Sequence, residues 1–252
     1  MKRFEGKVAI ITGGASGQGE AACRLFAAEG ASVIVADWNG EGAERVAAET
    51  GGLAIRTDVS READILAMVN LARTRYGRLD VLFNNAGVGH SESARFKMAN
   101  VVETPGDDWD RILAINLKGC FMGCKHAIPL MVESGGGAIV NNSSIMGIAA
   151  VSGADAYSAA KGGVVSLTRV LAVDWIGKGI RVNCIAPGPV ATGMTAPLLE
   201  TEEGRRNVIG LSPANRVASA EEVAKVAVFL ASDDASFVNG VVLPVDGGWA
   251  AL

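Results

Sequence analysis

The sequence predicts an α/β protein: a doubly wound, parallel sheet of about seven strands with helices on both faces, formed by residues 1–252 as a single domain. Short apolar, β-branched segments alternate along the chain with segments of helical period. Two of the predicted strands run directly into glycine-containing turns. The chain is 49% hydrophobic and holds 32 glycines, a composition that suits tight strand-to-helix turns, and neither a linker nor an internal repeat divides it.

The first half of the chain is predicted to alternate strand and helix. Strands are expected at 7–12, 31–36, 53–57 and 79–84, and helices at 20–29 and 40–50. A third helix follows Ser60, which we expect to cap it. The segment 88–107 is less regular, and we predict a surface excursion with about one helical turn. Regular βα alternation implies a parallel sheet whose ligands lie at the carboxyl ends of the strands.

The second half continues the alternation. We predict helices at 107–133, at 155–176 and at 221–231, and strands at 138–142, 180–186 and 241–245. Pro244 cannot donate a ladder hydrogen bond, so the last strand is expected at an edge. The stretch 190–216 has little apolar period and is expected to form a loop that covers a substrate. Asn116 interrupts an apolar stripe, so its amide is either a structural bridge or part of a site.

The turn at 13–19 follows the first strand and opens a helix, an arrangement typical of phosphate binding, although a tight turn alone would also account for the glycines. Asp37 ends the second strand about twenty residues beyond that turn, where a carboxylate accepts hydrogen bonds from an adenosine ribose. Because it would repel a 2′-phosphate, Asp37 favours NAD over NADP. The turn contains Ser16 but no lysine or arginine, and the absence of a cation from the turn favours NAD as well. The alternative is a solvated carboxylate at a strand end.

Tyr157 and Lys161 are the residues best suited to proton transfer. Four positions apart in a predicted helix, they lie on one face about one turn apart. A neighbouring cation favours the phenolate form of a tyrosine, which allows proton exchange near neutral pH. The same spacing also occurs where a tyrosine simply packs and a lysine is solvated. Ser143 and Ser144, shortly upstream, make the chemical interpretation the stronger one.

Charge and composition argue against other classes of function. The formal net charge of −4 offers no basic field for nucleic acid. Two histidines, His90 and His126, and four scattered cysteines give no metal-ligand pattern, and Cys120 and Cys124 are expected to be buried small hydrophobes. The N-terminal residues run quickly into a strand pattern and no long apolar run follows. We therefore expect a cytoplasmic protein with no membrane or nucleic-acid partner and no metal.

Taken together, these motifs resemble those of the short-chain dehydrogenase/reductase family, over essentially the whole chain. The family's glycine motif matches Thr12, Gly13, Gly17 and Gly19, and its second motif matches residues 84–87. Ser144, Tyr157, Lys161 and Asn116 match its catalytic set. Two features depart from the family pattern: Gln18 replaces a usually aliphatic residue, and the segment after Gly87 is longer than is common.

The resemblance implies a Rossmann fold and residue roles that go beyond the patterns themselves. Tyr157 would be the acid/base, Lys161 would assist it and hold the nicotinamide ribose, Ser144 would bind the substrate oxygen, and Asn116 would hold a water that links Lys161 to solvent. The expected NAD contacts are Gly13, Ser16, Gly17, Gln18, Gly19, Asp37, Asp58, Val59, Asn85, Ala86, Gly87, Tyr157, Lys161, Pro187, Gly188, Val190 and Thr192. The expected apolar substrate pocket is Ile145, Met146, Val151 and Met194.

The hypothesis that follows is reversible hydride transfer between NAD and a moderately hydrophobic secondary alcohol or ketone. The alternatives are an NADP-linked 3-ketoacyl reductase, which Asp37 disfavours, and a non-catalytic NAD-binding regulatory protein, which would have no chemical need for the full catalytic set. The resemblance further implies a homotetramer.

Overall fold

The computed structural model describes residues 2–89 and 99–252. Its described residues form one seven-stranded sheet in the order β3-β2-β1-β4-β5-β6-β7, with every neighbouring pair parallel. The strands are β1 Val8–Thr12, β2 Ser32–Asp37, β3 Leu53–Arg56, β4 Val81–Asn84, β5 Gly137–Asn142, β6 Ile180–Pro187 and β7 Val242–Val245. The predicted fold class is thereby confirmed.

Helices connect the strands and cover both faces of the sheet. In the described ranges they are α1 Gly17–Ala28, α2 Gly40–Thr50, α3 Glu62–Tyr76, α4 Gly106–Leu113, α5 Gly119–Glu133, α6 Asp155–Trp175, α7 Ala196–Leu199, α8 Glu202–Ile209 and α9 Ala220–Ala231. None of these helices is long and apolar enough to cross a lipid bilayer.

Alternate residues of the strands face two separate hydrophobic cores, as the period of a strand requires. Ile10, Ile34 and Leu82 pack on the side covered by α3, α5 and α6. Ile11, Val35 and Phe83 pack on the side covered by α1, α2 and α9. Both faces are thus buried, which explains why the strands appear in the sequence as continuous apolar runs.

The order of the strands reverses at β1, which lies between β2 and β4. Ala9 pairs with Val33 of β2 on one side and with Val81 of β4 on the other. Crossovers leave this point in opposite directions, so a crevice opens beyond the carboxyl ends of β1 and β4. The residues singled out in the sequence analysis follow these strand ends.

Several local predictions are corrected. Ser60 does not cap α3: the N-cap residue is Arg61, and the Ser60 hydroxyl donates instead to Asp58 Oδ1 at 2.6 Å. The 190–216 stretch is not an open loop, because it contains α7 and α8. Thr201 caps α8 by accepting a hydrogen bond from Gly204 N at 3.0 Å, a local pattern that the lack of apolar period concealed.

Two further regions differ from a simple helix or strand. The predicted helix 107–133 is continuous, but residues Ala114–Lys118 form a π-helical turn between α4 and α5. The predicted edge position of Pro244 is confirmed, since β7 is the terminal strand of the sheet and, within 2–89 and 99–252, pairs with β6 alone. Of the excursion predicted over 88–107, residues 90–98, including His90, lie outside the described residues.

Candidate active site

The glycine turn between β1 and α1 is a close backbone contact rather than an open loop. A Cβ added to Gly19 would lie 2.0 Å from Gly13 O, so only glycine fits there. Gly17 has φ +54°, a left-handed conformation that favours glycine. Ser16 is the exposed N-cap residue of α1 and its side chain makes no capping bond. The first N–H groups of α1 therefore open toward the crevice, as an anion site requires.

A second turn, after β4, is joined to the glycine turn by hydrogen bonds. Thr12 Oγ1 accepts from Asn85 N at 3.0 Å and from Ala86 N at 3.1 Å. Asn85 Nδ2 in turn donates to Thr12 O at 3.0 Å and to Gly13 O at 3.2 Å. These reciprocal bonds make the two turns a single rigid wall of the crevice.

Asp37 ends β2 as predicted, but it is not a solvated carboxylate. Its side chain is 6% exposed. One oxygen accepts from Ala15 N at 3.0 Å and the other from Asn39 N at 2.9 Å. Each carboxylate oxygen retains a further lone pair, so the group can bind a hydroxyl while it holds the glycine turn against β2.

Asp58 and Val59 follow β3 and lie farther along the same edge of the sheet. Asp58 Oδ1 accepts two hydrogen bonds from Ser60, and Asp58 N donates to Asp64 Oδ2 at 3.0 Å. Val59 is buried and packs closely on Gly119, where an added Cβ would lie 3.0 Å away. A narrow cleft of about 10 Å³, lined in part by Val59 and Thr12, continues from here toward α5.

The first two turns of α6 bring Tyr157 and Lys161 together as their spacing predicts. Lys161 Nζ lies 5.6 Å from the centroid of the Tyr157 ring. The lysine is 3% exposed, and its ammonium group donates to Asn142 O at 2.8 Å. Ser143 Oγ donates to Lys161 O at 2.8 Å, so the end of β5 holds both the head and the main chain of the lysine.

Ser144 follows β5 and is 8% exposed. Its Oγ accepts from Met146 N at 3.2 Å, which caps the 3₁₀ turn Ile145–Gly147. That bond uses the oxygen as an acceptor and leaves the hydroxyl proton available for another oxygen. The cap also fixes the direction of the side chain before any ligand binds.

Asn116 lies in the π-helical turn and serves as a structural bridge. Its Oδ1 accepts from Val88 N at 3.1 Å, and its Nδ2 donates to Val88 O at 3.0 Å and to Ile112 O at 3.1 Å. Gly87 fits between the bridge and the lysine: an added Cβ would lie 2.7 Å from Asn116 Oδ1 and 3.3 Å from Lys161 Nζ. The π turn thus holds the second turn close to Lys161 of α6. Such irregularities are common at functional sites.

The segment after β6 reaches back over the glycine turn. Gly188 N donates to Val245 O at 3.1 Å, which anchors the turn that follows Pro187. Val190 is buried and forms a parallel bridge with Ala218. Thr192 lies against Gly17, where an added Cβ would be 3.1 Å from Thr192 Cγ2. The crevice therefore lies between the carboxyl ends of the strands on one side and residues 188–195 on the other.

Of the predicted substrate-pocket residues, Met194 lies on the same side of Gly89 as the tyrosine. A Cβ added to Gly89 would be 3.0 Å from Met194 Sδ and 3.5 Å from Tyr157 Cε2, so the methionine and the tyrosine flank the same glycine. Met146 and Val151 are partly exposed near the start of α6, whereas Ile145 is 1% exposed and packs in the core. The three exposed members give the region an apolar character.

The sequence analysis overlooked Asn142 as a functional candidate. Its Nδ2 donates to Gln18 Oε1 and to Asn85 Oδ1, both at 3.0 Å, while its Oδ1 is buried and has no hydrogen-bond partner. Two consecutive asparagines at the end of a buried strand were the available indication, because buried amides require partners. Gln18, noted only as a departure from a family pattern, is one of those partners.

The residues present fit a nicotinamide dinucleotide. The glycine contact at Gly13 and Gly19 leaves backbone N–H groups facing the crevice without side-chain obstruction, and Asp37 can bind a ribose hydroxyl. The unpartnered Asn142 oxygen marks a polar position between the glycine turn and Lys161. By contrast, no cluster of histidine, cysteine or acidic residues suited to a metal ion occurs within 2–89 and 99–252.

Comparisons with known proteins agree with this geometry. A family model described as enoyl-(acyl carrier protein) reductase matches residues 13–250. The chain is 43% identical to meso-2,3-butanediol dehydrogenase of Serratia marcescens, covering 99% of this chain and 96% of that protein. It is 40% identical to 3-oxoacyl-(acyl-carrier-protein) reductase of Thermotoga maritima, covering 98% of each chain. The crystal structure of levodione reductase superposes with a TM-score of 0.91 at 40% identity, covering 99% of each chain.

Proposed function

Since the chain belongs to the short-chain dehydrogenase/reductase family of oxidoreductases, we propose that it transfers hydride reversibly between NAD and a secondary alcohol or ketone of moderate hydrophobicity. The observation that carries this proposal is the buried Lys161 ammonium group, held by Asn142 O and lying 5.6 Å from the Tyr157 ring. A buried ammonium group is costly unless it is paired, so its place beside the Tyr157 ring favours a role in the chemistry of the site.

The bound dinucleotide supplies the hydride acceptor or donor. Tyr157 takes the alcohol proton at its phenolic oxygen, or returns it to the carbonyl in the reverse direction. Ser144, capped through Met146 N, has its hydroxyl proton free to donate to the substrate oxygen, where charge develops. Lys161 supports the tyrosine and would bind a ribose hydroxyl. Asn116 holds Val88, just after the second turn, through two hydrogen bonds. Its further role would be to hold a water that links Lys161 to solvent.

The preference for NAD over NADP rests on Asp37. Its buried carboxylate lies beside Ala15 in the glycine turn, and a 2′-phosphate brought to the same place would meet a negative charge with little water to screen it. Arg45 also reaches the turn and donates to Ala15 O at 3.0 Å, but Glu20 and Glu49 pair with its guanidinium. These ion pairs with two carboxylates oppose the binding of a 2′-phosphate by the Arg45 guanidinium.

The substrate region favours an uncharged alcohol or ketone, because the apolar Met194 and Tyr157 flank the same glycine, Gly89. Met146 and Val151, which are partly exposed, would extend this apolar surface. A relative named as a butanediol dehydrogenase is compatible with this class. A 3-ketoacyl reductase is the second candidate, since a relative of that name is 40% identical over nearly the whole chain. A regulatory protein that binds NAD without turnover is the third.

Assembly into a tetramer in the cytoplasm completes the proposal. Phe121 on α5 and Val170 and Val173 on α6 are apolar side chains that are 48%, 57% and 77% exposed. Burial of such side chains against a second copy would remove apolar surface from water. Light scattering of the purified protein measures the mass directly, and a monomer at micromolar concentration would contradict this part.

The test of the function is a turnover assay in which NAD and NADP are each paired with a panel of secondary alcohols, and NADH and NADPH with ketones and a 3-ketoacyl thioester. We expect turnover with NAD and alcohols, followed by the absorbance of the reduced nicotinamide. Turnover restricted to NADPH and the thioester would establish the second candidate. Tight NAD binding without turnover of any panel member would favour the regulatory protein.

A further inference from the structure

Gln18 and Asn142 form a partly buried amide pair in the wall of the crevice. They lie 124 positions apart in sequence, one in the first turn of α1 and the other at the end of β5, and Asn142 Nδ2 donates to Gln18 Oε1 at 3.0 Å. Neither side chain takes part in the proton transfer proposed above, where Asn142 acts only through its main-chain oxygen. Polar pairs at such positions are costly to bury unless fully bonded, so their arrangement requires an explanation.

The orientation of the Asn142 carboxamide follows from its neighbours. Asn85 Nδ2 donates to two main-chain oxygens, Thr12 O and Gly13 O, which can only accept. Asn85 must therefore present its Oδ1 to Asn142, at 3.0 Å, and Asn142 must present its Nδ2 in return. Flipping the Asn142 amide would place two oxygens against each other.

These hydrogen bonds determine the direction of Asn142 Oδ1 and leave it without a donor in the described part of the chain. Both hydrogens of Nδ2 are used by Gln18 and Asn85, which lie on the side of β1 and β4. The oxygen diverges from the nitrogen on the same carbon, so it is directed away from those partners. It is buried and has no hydrogen-bond donor among the described residues. An acceptor left in this state carries its full partial negative charge into a region of low dielectric.

Asn142 lies along the part of the crevice that a bound dinucleotide would cross. Asn142 lines the cleft that runs between the glycine turn and α5, and its own carbonyl oxygen accepts the hydrogen bond from Lys161 Nζ. Ser144 lies two residues farther along the chain. A dinucleotide whose phosphates occupy the glycine turn and whose reactive ring reaches Tyr157 must cross this part of the crevice.

We propose that Gln18 and Asn142 set the cofactor's preferred oxidation state: together they fix an unpartnered carbonyl oxygen whose negative end favours the cationic, oxidised nicotinamide ring over the neutral, reduced one. The inference rests on the proposed NAD-dependent function. Oxidised nicotinamide carries a positive charge that hydride transfer removes, so a fixed dipole nearby stabilises one form only. Asn142 is the residue that discriminates, and Gln18 is a positioning residue that acts through it.

The experiment measures equilibrium binding without substrate, so it does not depend on turnover. Dissociation constants for NAD⁺ and NADH are determined by calorimetry and by NADH fluorescence, and the ratio Kd(NADH)/Kd(NAD⁺) is compared among variants. Asn142→Leu removes the oxygen, and we expect the ratio to fall about fivefold or more. Asn142→Asp places a full negative charge there, and we expect the ratio to rise. Gln18→Leu removes one of the two acceptors that hold Asn142 Nδ2, while Asn85 still fixes the orientation of the amide, so this change should lower the ratio by a smaller factor.

Asn70 supplies matched controls, because it is exposed on α3 and away from the crevice. Asn70→Leu and Asn70→Asp repeat the same changes in polarity and net charge, and both should leave the ratio at the wild-type value. Circular dichroism and the midpoint of thermal unfolding identify any variant that fails to fold. The opposite signs expected for two changes at one position separate an electrostatic effect from a general loss of packing.

Three outcomes decide the proposal. Opposite shifts in Asn142→Leu and Asn142→Asp support it. An unchanged ratio in folded Asn142→Leu, or equal weakening of both cofactor forms, overturns it and leaves Asn142 with a structural role only. If the wild-type protein binds neither NAD⁺ nor NADH, both this inference and the proposed function are overturned. If it binds both but turns over no alcohol, the proposed function is overturned, and the ratio of dissociation constants alone decides this inference.

Discussion

The ammonium group of Lys161 is held between the Tyr157 ring, whose centroid is 5.6 Å away, and the carbonyl oxygen of Asn142, 2.8 Å away. The lysine is 3% exposed and is joined to β5 a second time through Ser143 Oγ. Both the ammonium group and the main-chain oxygen of the lysine are hydrogen-bonded. The ammonium group therefore cannot move away from the tyrosine without leaving a polar group unpaired. The end of β5 therefore determines where the cation of the site lies.

Replacement of the tyrosine tests the proton-transfer role. We expect Tyr157→Phe to lower kcat by about 100-fold or more, because the change removes the group that exchanges the alcohol proton and keeps the ring. NAD binding, measured by calorimetry, should remain near the wild-type value. Tyr76→Phe is the matched control, since it makes the same change at the end of α3, far from the crevice, and should keep full turnover. Near-normal turnover in Tyr157→Phe would remove the acid/base assignment.

Replacement of Asp37 tests cofactor selection. Asp37→Asn retains an oxygen for one of the two backbone donors, Ala15 N and Asn39 N, and removes the negative charge. We expect the ratio of kcat/KM with NAD to kcat/KM with NADP to fall by about tenfold, because the repulsion of a 2′-phosphate is lost. Asp110→Asn makes the same change on the exposed surface of α4 and should leave the ratio unchanged. An unaltered ratio in Asp37→Asn would show that NAD preference has another origin.

The fold could be predicted from the sequence because strands buried on both faces appear as apolar runs and each ends in a distinctive turn. The relation between Tyr157 and Lys161 was equally accessible, since helical spacing alone places them on one face. Each of these features depends on residues that are close in sequence.

The features that sequence analysis missed depend on partners that are distant in sequence. Gln18 and Asn142 meet only because α1 and β5 converge at the switch point of the sheet. The π turn at Asn116 follows from a bridge to Val88, which periodicity cannot reveal.

The four cysteines are free and buried, and we expect them to be unreactive in the native protein. Burial raises the pKa of Cys184 to about 11 and raises that of Cys23 further, while a hydrogen bond with Cys124, followed by burial, raises the pKa of Cys120. The reactive thiolate is therefore scarce at neutral pH as well as inaccessible. Labelling by a thiol-disulfide reagent should be about 100-fold slower than in urea, because it requires local opening. Asn70→Cys adds an exposed thiol on α3 as a positive control, and fast labelling of the wild type would contradict the prediction.

Arg181 is a structural cation rather than a catalytic one. It is 9% exposed, and its guanidinium donates to the main-chain oxygens of Leu230, Ser232 and Val238. Burial lowers the pKa of the Arg181 guanidinium, but the three carbonyl oxygens offset the cost of the charge.

We expect Arg181→Met to lower the free energy of unfolding by about 3 kcal/mol, because the three main-chain acceptors lose their donor. Urea denaturation followed by circular dichroism measures the change. Arg75→Met, at an exposed position in the last turn of α3, should change stability by about 0.5 kcal/mol or less. A similar small effect in Arg181→Met would show that water satisfies these carbonyl groups.

The N-terminus of α9 should make stability depend on acid pH. Ser219 and Glu222 form a capping box, and the Arg216 guanidinium, followed by Ser219 N, lowers the pKa of Glu222 from 4.5 to about 2. Because folding lowers this pKa, the ionised carboxylate stabilises the protein above about pH 4.5, and the effect disappears as the pH falls toward 2. Glu222→Gln should therefore be less stable than the wild type near neutral pH and equal to it near pH 2, as measured by urea denaturation. Glu44→Gln, at an exposed position on α2, should match the wild type throughout, and a pH-independent defect in Glu222→Gln would assign the loss to the cap geometry instead of the charge.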